Sequence, residues 1–217
     1  SLVKRPLTVS IDFKNWSPTP ESVQERTISA LSTLAKRVDV MVLLEQVDEA
    51  DTGVLDGGVL DALSQIRRDN PDLLILAVSR RGLGHFPSVG LKMNREEFAV
   101  LTGGSADIPL VELCAAIGRL ATERGQVVFV SLSEEGIAGA KPGETPEHVP
   151  CLPLWGEIDI VGAGDAVMAN LAMALAGGAA IVEAMKFAMA AASVVVHQLG
   201  TTGTANLGEI RPLVCAH

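Results

Sequence analysis

The residues best suited to chemistry lie late in the sequence, at residues 157–166 (Glu-Ile-Asp-Ile-Val-Gly-Ala-Gly-Asp-Ala). The pattern predicts a strand, a tight Gly-Ala-Gly turn and the start of a helix. Glycine lets the backbone approach a ligand closely, and the first amides of a helix have no partners within it. A bound anion such as a phosphoryl group is therefore predicted at the backbone N–H groups of Gly162, Ala163, Gly164 and Asp165.

Asp165 stands beside that predicted anion site, and its carboxylate has two interpretations. In the first it is a general base, which accepts the proton of an attacking hydroxyl while the amides stabilise charge on a transferred phosphoryl group. In the second it only caps the helix, because aspartate is favoured at helix N-termini. The segment taken alone leaves both interpretations open.

Two other glycine-loop functions do not fit the sequence. A dinucleotide-binding fingerprint needs a third glycine where the chain has Val167, and it normally occurs in an early strand–helix–strand unit. The P-loop pattern Gly-x-x-x-x-Gly-Lys-Ser/Thr occurs nowhere in the chain. A nicotinamide-dependent dehydrogenase and a P-loop NTPase are therefore not expected.

The composition limits the class of protein and of partner. Hydrophobic residues make up 48% of the 217 residues and aromatic ones 3%, with no tyrosine, which is typical of an α/β protein with an aliphatic core. The formal net charge is −9 and the 17 lysines and arginines are dispersed, so neither nucleic acid nor an anionic membrane is expected as a partner. Cys114, Cys151 and Cys215 show no paired spacing, which favours the reducing cytoplasm over a disulfide-rich or zinc-binding protein.

Two stretches without charged residues, 166–182 and 187–208, raise the question of membrane helices. The first is interrupted by Asn170 and by two glycines, and the second ends in polar residues. Both are predicted to be buried helices packed on a sheet, and no membrane partner is expected.

The wider sequence alternates helices with apolar strands, as expected for a mostly parallel sheet. The predicted strands are residues 7–12, 38–44, 73–78, 89–91 and 127–132, with a further strand from residue 157. The predicted helices are one from residues 17–21 to about 37, then 54–68, 96–101, 109–124, 165–176 and 180–198. Residues 136–155, rich in Gly and Pro, are predicted to form short antiparallel strands and turns. No repeat or linker divides the chain, so a single domain is predicted.

The pattern Asp-x-x-Gly-Ala-Gly-Asp at residues 159–165, followed by two alanine-rich helices, resembles the signature of the PfkB, or ribokinase-like, carbohydrate kinases. The resemblance extends in order over essentially the whole chain. It implies an α/β fold of three layers (α/β/α) with a Rossmann-like, mostly parallel sheet. It also implies that Asp165 is the base, that the amides of residues 162–165 form the anion hole, and that ATP with Mg²⁺ supplies the phosphoryl group.

Two further motifs resemble the nucleotide site of that family. Residues 91–97 (Leu-Lys-Met-Asn-Arg-Glu-Glu) are similar to Lys-x-Asn-x-x-Glu, which implies that Asn94 and Glu97 organise the phosphates and Mg²⁺, Glu97 through water. Residues 130–136 lie where the family has a strand-end Thr or Ser and a glycine turn. The nucleotide-binding candidates that this implies are Ser131, Ser133 and Gly136.

Residues 196–204 resemble the stretch that closes the adenine pocket in the family and often holds a monovalent cation. The resemblance therefore implies K⁺ as a further cofactor candidate. Its ligands, mostly backbone carbonyls, would come from Asp159, Val161, Gly200 and Thr204.

The chain also departs from the family pattern. Ile160 replaces a common Thr, and Met189 stands where an Asn often lies beside the adenine, so Met189 is a candidate lining residue and the nucleotide preference stays open. Residues 79–81 (Ser-Arg-Arg) replace Asp-Pro-Arg or Asp-Pro-Lys, and a solvated turn is expected there. Residues 38–46 and 51–55 resemble the heptose-phosphate-kinase branch.

The N-terminal portion of the family, with its opening strand, Gly-Gly sugar-binding motif and lid strands, has no counterpart in the sequence. Residues 1–217 are therefore expected to be the C-terminal, nucleotide-binding portion of a single ribokinase-like kinase domain. The expected function is ATP-dependent transfer of the γ-phosphoryl group to a hydroxyl of a sugar or sugar phosphate, with a homodimer as one expected assembly. The alternative is a truncated or degenerate nucleotide-binding module without kinase activity.

Overall fold

The computed structural model describes residues 16–215, so the strand predicted at residues 7–12 lies outside the described part. The described strands are β1 (Val40–Glu45), β2 (Leu74–Ser79), β3 (Gly90–Asn94), β4 (Val128–Ser131), β5 (Ile137–Ala140) and β6 (Glu147–Val149). The described helices are α1 (Glu21–Leu34), α2 (Gly57–Asp69), α3 (Arg95–Thr102), α4 (Leu110–Arg124), α5 (Ala163–Ala176), α6 (Ile181–Val196) and α7 (Leu207–Cys215). A short 3-10 turn, Ser133–Glu135, lies between β4 and β5.

The six strands form one sheet in the order β1-β2-β3-β4-β5-β6. Strands β1 to β4 run parallel, whereas β5 and β6 are antiparallel to their neighbours. The carboxyl ends of the parallel strands therefore meet at one edge, where the last strand residues are Glu45, Ser79, Asn94 and Ser131. Ligands of open α/β sheets bind outside this edge, so it is the place to look for a site.

Helices cover both faces of the sheet and produce three layers. On one face, α1 to α4 pack on strand residues such as Ile75, Leu91 and Val130. On the other face, α5 and α6 pack on Leu76 and Phe129. A sheet covered on both faces needs apolar residues at successive positions, which explains the continuous apolar runs in the sequence. The predicted three-layer α/β fold with a mostly parallel sheet is confirmed.

One local prediction was wrong, and one helix was missed. Residues 157–160 form no strand, because the Asp159 N–H donates to the carbonyl oxygen of Val196 at 2.7 Å instead of to a neighbouring strand. Ile160 is 74% exposed, so the apolar residues that suggested a strand do not face a core. Helix α7 was not predicted, and its pattern is weak because Pro212 lies inside it and few of its residues are buried.

No helix in the described part of the chain has both the length and the apolar character needed to cross a membrane. The two uncharged stretches instead supply most of α5 and α6, which cover one face of the sheet. Leu171 and Met185 are fully buried there, as predicted for helices packed on a sheet.

Candidate active site

The Gly-Ala-Gly turn leads into α5, which begins two residues earlier than predicted, at Ala163. Gly162 precedes the helix with φ +83°, in the left-handed region that favours glycine. A Cβ atom on Gly162 would also collide with the carbonyl oxygen of Thr202. Glycine is therefore required here by its conformation and by the close approach of the loop at residues 200–204.

The amides of this turn are not equivalent. The Ala163 N–H donates to the Ile160 carbonyl oxygen at 3.1 Å and closes the turn, so the prediction of a free amide at Ala163 was wrong. The N–H groups of Gly162, Gly164 and Asp165 make no hydrogen bond within the described chain. These amides lie at the start of a 14-residue helix, whose dipole favours an anion at this end.

Asp165 is exposed in the first turn of α5, and it does not cap the helix with its side chain. Its carboxylate forms no hydrogen bond or ion pair with any residue that the structure describes. The capping interpretation of Asp165 is therefore not supported. The carboxylate is available to another group beside the free amides.

Asn94 and Glu97 form a reciprocal pair where β3 ends and α3 begins. The Glu97 N–H donates to Asn94 Oδ1 at 2.7 Å, and the Asn94 N–H donates to Glu97 Oε2 at 2.8 Å. This capping box holds both side chains at the carboxyl edge of the sheet. It leaves Asn94 Nδ2 and Glu97 Oε1 without a hydrogen bond in the described chain, and these atoms can face a ligand.

Ser131 lies opposite Asn94 in the register of β3 and β4. Its Oγ donates to the Met93 carbonyl oxygen at 3.1 Å, so the side chain is fixed at the same edge. An ion pair of 2.7 Å between Arg95 and Glu135 ties the start of α3 to the turn after β4. The structure therefore brings the two predicted nucleotide motifs together.

The turn after β4 packs tightly against residues 149–151. Ser133 and Gly136 both have positive φ, at 53° and 98°, and a Cβ on Gly136 would collide with the backbone of those residues. The Cys151 thiol donates to the Ser133 carbonyl oxygen at 3.1 Å. Burial raises the pKa of that thiol, which favours the protonated form that donates this hydrogen bond.

Met189, on α6, lines an apolar cavity of about 230 Å³. Residues 149–153 form one wall of the cavity, and Leu213 and Val214 of α7 form another. Ser133 and Gly136 contact the same 149–151 segment, so the candidates predicted around a nucleotide base lie near one cavity. The contribution of α7 was not predicted from the sequence.

The Asp159 carboxylate joins two loops behind the anion site. It accepts hydrogen bonds from the N–H groups of Val161 and Gly200, both at 3.0 Å, and these bonds lower the pKa of Asp159. Thr204 differs, because its N–H and its carbonyl oxygen both bond to the side chain of Gln198. The structure thus gathers Asp159, Val161 and Gly200, but the Thr204 carbonyl is already engaged.

Lys92 is a site residue to which the sequence analysis gave no role. It lies on β3 and is 8% exposed, beside the start of α5. Burial lowers the pKa of its ammonium group, while the carboxylates of Glu97 and Asp165 act to raise it. The available signal in the sequence was its place as the lysine of the Lys-x-Asn-x-x-Glu pattern.

A second polar cluster lies further along the same edge, at the ends of β1 and β2. The buried Glu45 carboxylate forms an ion pair of 2.9 Å with Arg81, accepts a hydrogen bond from Ser79, and lies 3.2 Å from His85 Nε2. Ser79 and Arg81 thus depart from the expected solvated turn at residues 79–81, whereas Arg80 is exposed as expected. These three partners account for the presence of a carboxylate in the core.

The fold and the site define an α/β protein with unbonded amides at a helix N-terminus, beside an available carboxylate. The family model for pfkB family carbohydrate kinases matches residues 89–206, more than half of the chain. The chain belongs to this family.

Curated relatives extend the match over most of the sequence. The bifunctional protein HldE of Bradyrhizobium sp. (strain ORS 278) is 30% identical over 207 residues, which are 95% of this chain and 41% of that protein. HldE of Bradyrhizobium diazoefficiens is 30% identical over 211 residues, with the same shares of both chains. The chain thus spans about two fifths of the length of these relatives.

Solved structures show the same fold at low sequence identity. Phosphofructokinase-2 from Escherichia coli in complex with potassium has a TM-score of 0.69 and 18% identity, covering 87% of this chain and 61% of that chain. Ribokinase from Arabidopsis thaliana complexed with ribose and ATP has a TM-score of 0.67 and 19% identity, covering 91% and 60%. The fold is therefore ribokinase-like.

Proposed function

We propose that this chain carries the nucleotide-binding and catalytic part of an ATP-dependent carbohydrate kinase. The observation that carries the proposal is the Asp165 carboxylate, which is free of any capping bond and adjoins the unbonded amides of Gly164 and Asp165. An acceptor for a proton and donors for an anion are the two functions that phosphoryl transfer to a hydroxyl requires. Membership of the pfkB family supports the same reaction.

The donor set fits ATP and Mg²⁺. No cluster of three or more His, Cys, Asp or Glu side chains suited to a metal occurs in the described chain. Mg²⁺ does not need one, since it is usually held by one or two carboxylates together with waters and phosphate oxygens. Glu97 Oε1 would provide the carboxylate contact, directly or through water, while Asn94 Nδ2 would donate to a phosphate oxygen.

The nucleotide base and sugar would lie along the turn after β4. Ser131, Ser133 and Gly136 line that side, and Met189 closes the adjoining cavity. Met189 has no hydrogen-bonding amide, so adenine would be held there mainly by apolar contact. The preference for ATP over other nucleoside triphosphates is correspondingly expected to be modest.

Bound MgATP supplies the γ-phosphoryl group and the charge of the metal. Asp165 accepts the proton of the acceptor hydroxyl as that oxygen bonds to phosphorus, while the bond from phosphorus to the bridging oxygen of the leaving ADP breaks. The N–H groups of Gly164 and Asp165 hold the charge on the moving group. A carboxylate is a weak base, which suffices because the transition state is loose and the proton moves late.

Two finer assignments belong to this proposal. K⁺ is the candidate monovalent cation for the two loops that the hydrogen bond between Asp159 and Gly200 joins. The potassium complex of phosphofructokinase-2 supports this assignment. Thr204 could become a ligand only if its carbonyl oxygen gave up its hydrogen bond with Gln198.

Heptose phosphates are the first acceptors to test, because residues 38–46 and 51–55 resemble the heptose-phosphate-kinase branch and the relatives are named HldE. The dispersed, free cysteines support a cytoplasmic setting.

The test of the proposal is Asp165→Asn in the full-length natural protein. Loss of the base is expected to lower kcat for phosphoryl transfer by about 10²- to 10⁴-fold, while the Kd for MgATP changes little. The rate of ADP formation over a panel of sugars and sugar phosphates measures kcat, and calorimetry measures the Kd for MgATP. Asp61→Asn, at an exposed position on α2 across the sheet from α5, is the matched control and is expected to keep normal turnover. Near-normal turnover in Asp165→Asn would show that the assignment of the base is wrong.

A nucleotide-binding module without transferase activity is the second candidate function. The observation that favours it is the small share of each relative that the chain matches, since the chain spans 41% of the length of its HldE relatives. Such a module would bind MgATP but produce no ADP with any member of the acceptor panel. Turnover with one acceptor would exclude it.

A further inference from the structure

The charged cluster at the carboxyl ends of β1 and β2 has no part in the mechanism described so far. At its centre is the Glu45 carboxylate, with 1% of its side chain exposed. One of its oxygens lies 2.9 Å from Arg81 Nη1, and the other lies 3.2 Å from His85 Nε2. Ser79 donates a further hydrogen bond to this carboxylate. Glu45 therefore fixes an arginine and a histidine at the edge of the sheet where ligands of such folds bind.

The partners of Glu45 are themselves only partly satisfied. The side chains of Arg81 and His85 are 21% and 29% exposed. Arg81 Nε and Nη2 and His85 Nδ1 form no hydrogen bond with any residue between positions 16 and 215. An anion beside the imidazole ring would favour its protonated form, in which both ring nitrogens are donors. Arg80, which is exposed in the same turn, adds a further positive charge.

The direction of phosphoryl transfer places the acceptor on the side of this cluster. The candidate nucleotide residues Asn94 and Ser131 end β3 and β4, and α5 starts beside β3, since a Cβ on Gly164 would lie 3.7 Å from Lys92 Nζ. In phosphoryl transfer the attacking and leaving oxygens lie roughly in line. An acceptor that approaches Asp165 from the side opposite the nucleotide therefore lies over β2 and β1.

The spacing of the strands agrees with the size of a sugar phosphate. Neighbouring strands of a sheet are about 4.8 Å apart, so the cluster lies about 5 to 10 Å from the end of β3 along the edge of the sheet. That distance is comparable to the length of a hexose or heptose. A sugar with its hydroxyl at Asp165 could thus bring a phosphate group at its other end to the cluster.

We propose that Arg81 and His85, oriented by Glu45, bind the phosphate group of a sugar-phosphate acceptor while its hydroxyl meets Asp165. This inference rests on the proposed function and adds the residues that recognise the acceptor. The planar guanidinium of arginine matches the oxygens of a phosphate, and a charge-assisted hydrogen bond is stronger than a neutral one. Holding the acceptor at two points orients its hydroxyl, so the cluster selects phosphorylated sugars over free sugars.

The experiment measures kcat/KM of the full-length natural protein for a heptose phosphate and for the same heptose without its phosphate. Arg81→Lys keeps a positive charge beside Glu45 but removes the planar donors, and His85→Gln keeps a donor for Glu45 but removes the imidazole. Each variant is expected to lower kcat/KM for the heptose phosphate by about tenfold or more, while the value for the free heptose changes little.

Arg119→Lys is the matched control, because Arg119 is exposed on α4, which packs on β4 and β5. This variant is expected to keep the preference of the unsubstituted protein for the phosphorylated acceptor. A cluster that only stabilised the fold would lower kcat/KM for both acceptors equally. Equal losses, or no loss with either acceptor, would overturn the inference.

A second measurement needs neither turnover nor a substitution. In the unsubstituted protein without nucleotide, the NMR resonances of the His85 ring, identified by its contact with the ring of Phe86, are expected to shift with the heptose phosphate and not with the free heptose. The same shift with both ligands, or no shift with either, would overturn the phosphate site and leave the proposed function standing. Absence of ADP formation with every acceptor, together with a shift that depends on the phosphate, would overturn the proposed function and leave the phosphate site standing.

Discussion

Gly162 is the residue on which the backbone of the candidate site depends most. Its φ of +83° is unfavourable for any residue with a Cβ, and the added atom would meet the carbonyl oxygen of Thr202. Gly162→Ala is therefore expected to lower the free energy of unfolding by about 2 kcal/mol or more, because the conformational cost alone is about 1–2 kcal/mol. The loop of residues 200–204 must also shift, so MgATP binding is expected to weaken. Urea unfolding and calorimetry measure the two effects.

Gly178→Ala is a matched control for this substitution. Gly178 has nearly the same φ, +84°, but a Cβ placed there would meet nothing within 4 Å. Gly178→Ala should therefore show the conformational cost without the collision, and its affinity for MgATP should be unchanged. If the two variants lost the same stability and bound MgATP equally well, the close approach of Thr202 would have no role in the site.

Local motifs made part of the site predictable at the level of residues. Asn94, Glu97 and Asp165 were assigned from patterns a few residues long, and the structure places them at one sheet edge or beside it. Lys92 was not assigned a role although it belongs to the same pattern as Asn94 and Glu97, and the surroundings of both Lys92 and Arg81 come from contacts that are distant in sequence. Lys92 reaches the start of α5, and Arg81 pairs with Glu45 on another strand. Such contacts depend on strand order, which a single sequence does not reveal.

At the scale of elements, the capping box of α3 couples the stability of a helix to the geometry of the site. Asn94→Ala removes the acceptor for the Glu97 N–H and is expected to lower the free energy of unfolding by about 1 kcal/mol. Asn94→Ser keeps an oxygen that can cap the helix, so it should lose much less stability. Both variants lack Nδ2 and should bind MgATP more weakly. Urea unfolding and nucleotide titration separate the two roles.

The outcome that would contradict this interpretation is equal destabilisation by alanine and serine. The serine hydroxyl would then provide no cap, or the cap would contribute nothing to stability. Undiminished MgATP binding in both variants would instead remove Asn94 from the candidate nucleotide site while leaving its capping role intact.

Helices and strands that bury a continuous face were well predicted, because burial imposes a periodic pattern. The strands β1 to β4 and the helices α5 and α6 illustrate this. Residues 157–160 have the composition of a strand but find no strand partner in the described chain, so propensity alone misled there. Helix α7 packs on α6 through a small apolar cluster around Ile210, a tertiary contact that leaves little trace in the sequence.

At the scale of the whole molecule, the face of the sheet beside β1 and α5 is notably apolar and exposed. Val42 and Leu44 of β1 are 37% and 44% exposed, and Met173 of α5 is 51% exposed. Among the described strands, β1 has β2 as its only neighbour. Contiguous apolar surface of this kind favours association.

We therefore expect the 217-residue chain to self-associate through this face as its concentration rises. Val42→Thr with Met173→Gln should shift the equilibrium towards the monomer, because threonine keeps the strand propensity and glutamine the helix propensity while both reduce apolar surface. Sedimentation velocity at increasing concentrations measures the shift. Val100→Thr with Val111→Gln is the matched control, since these strongly exposed residues lie on α3 and α4, on the opposite face of the sheet. A chain that stayed monomeric at every concentration, or a control pair that dissociated it equally, would show that the face beside β1 does not drive association.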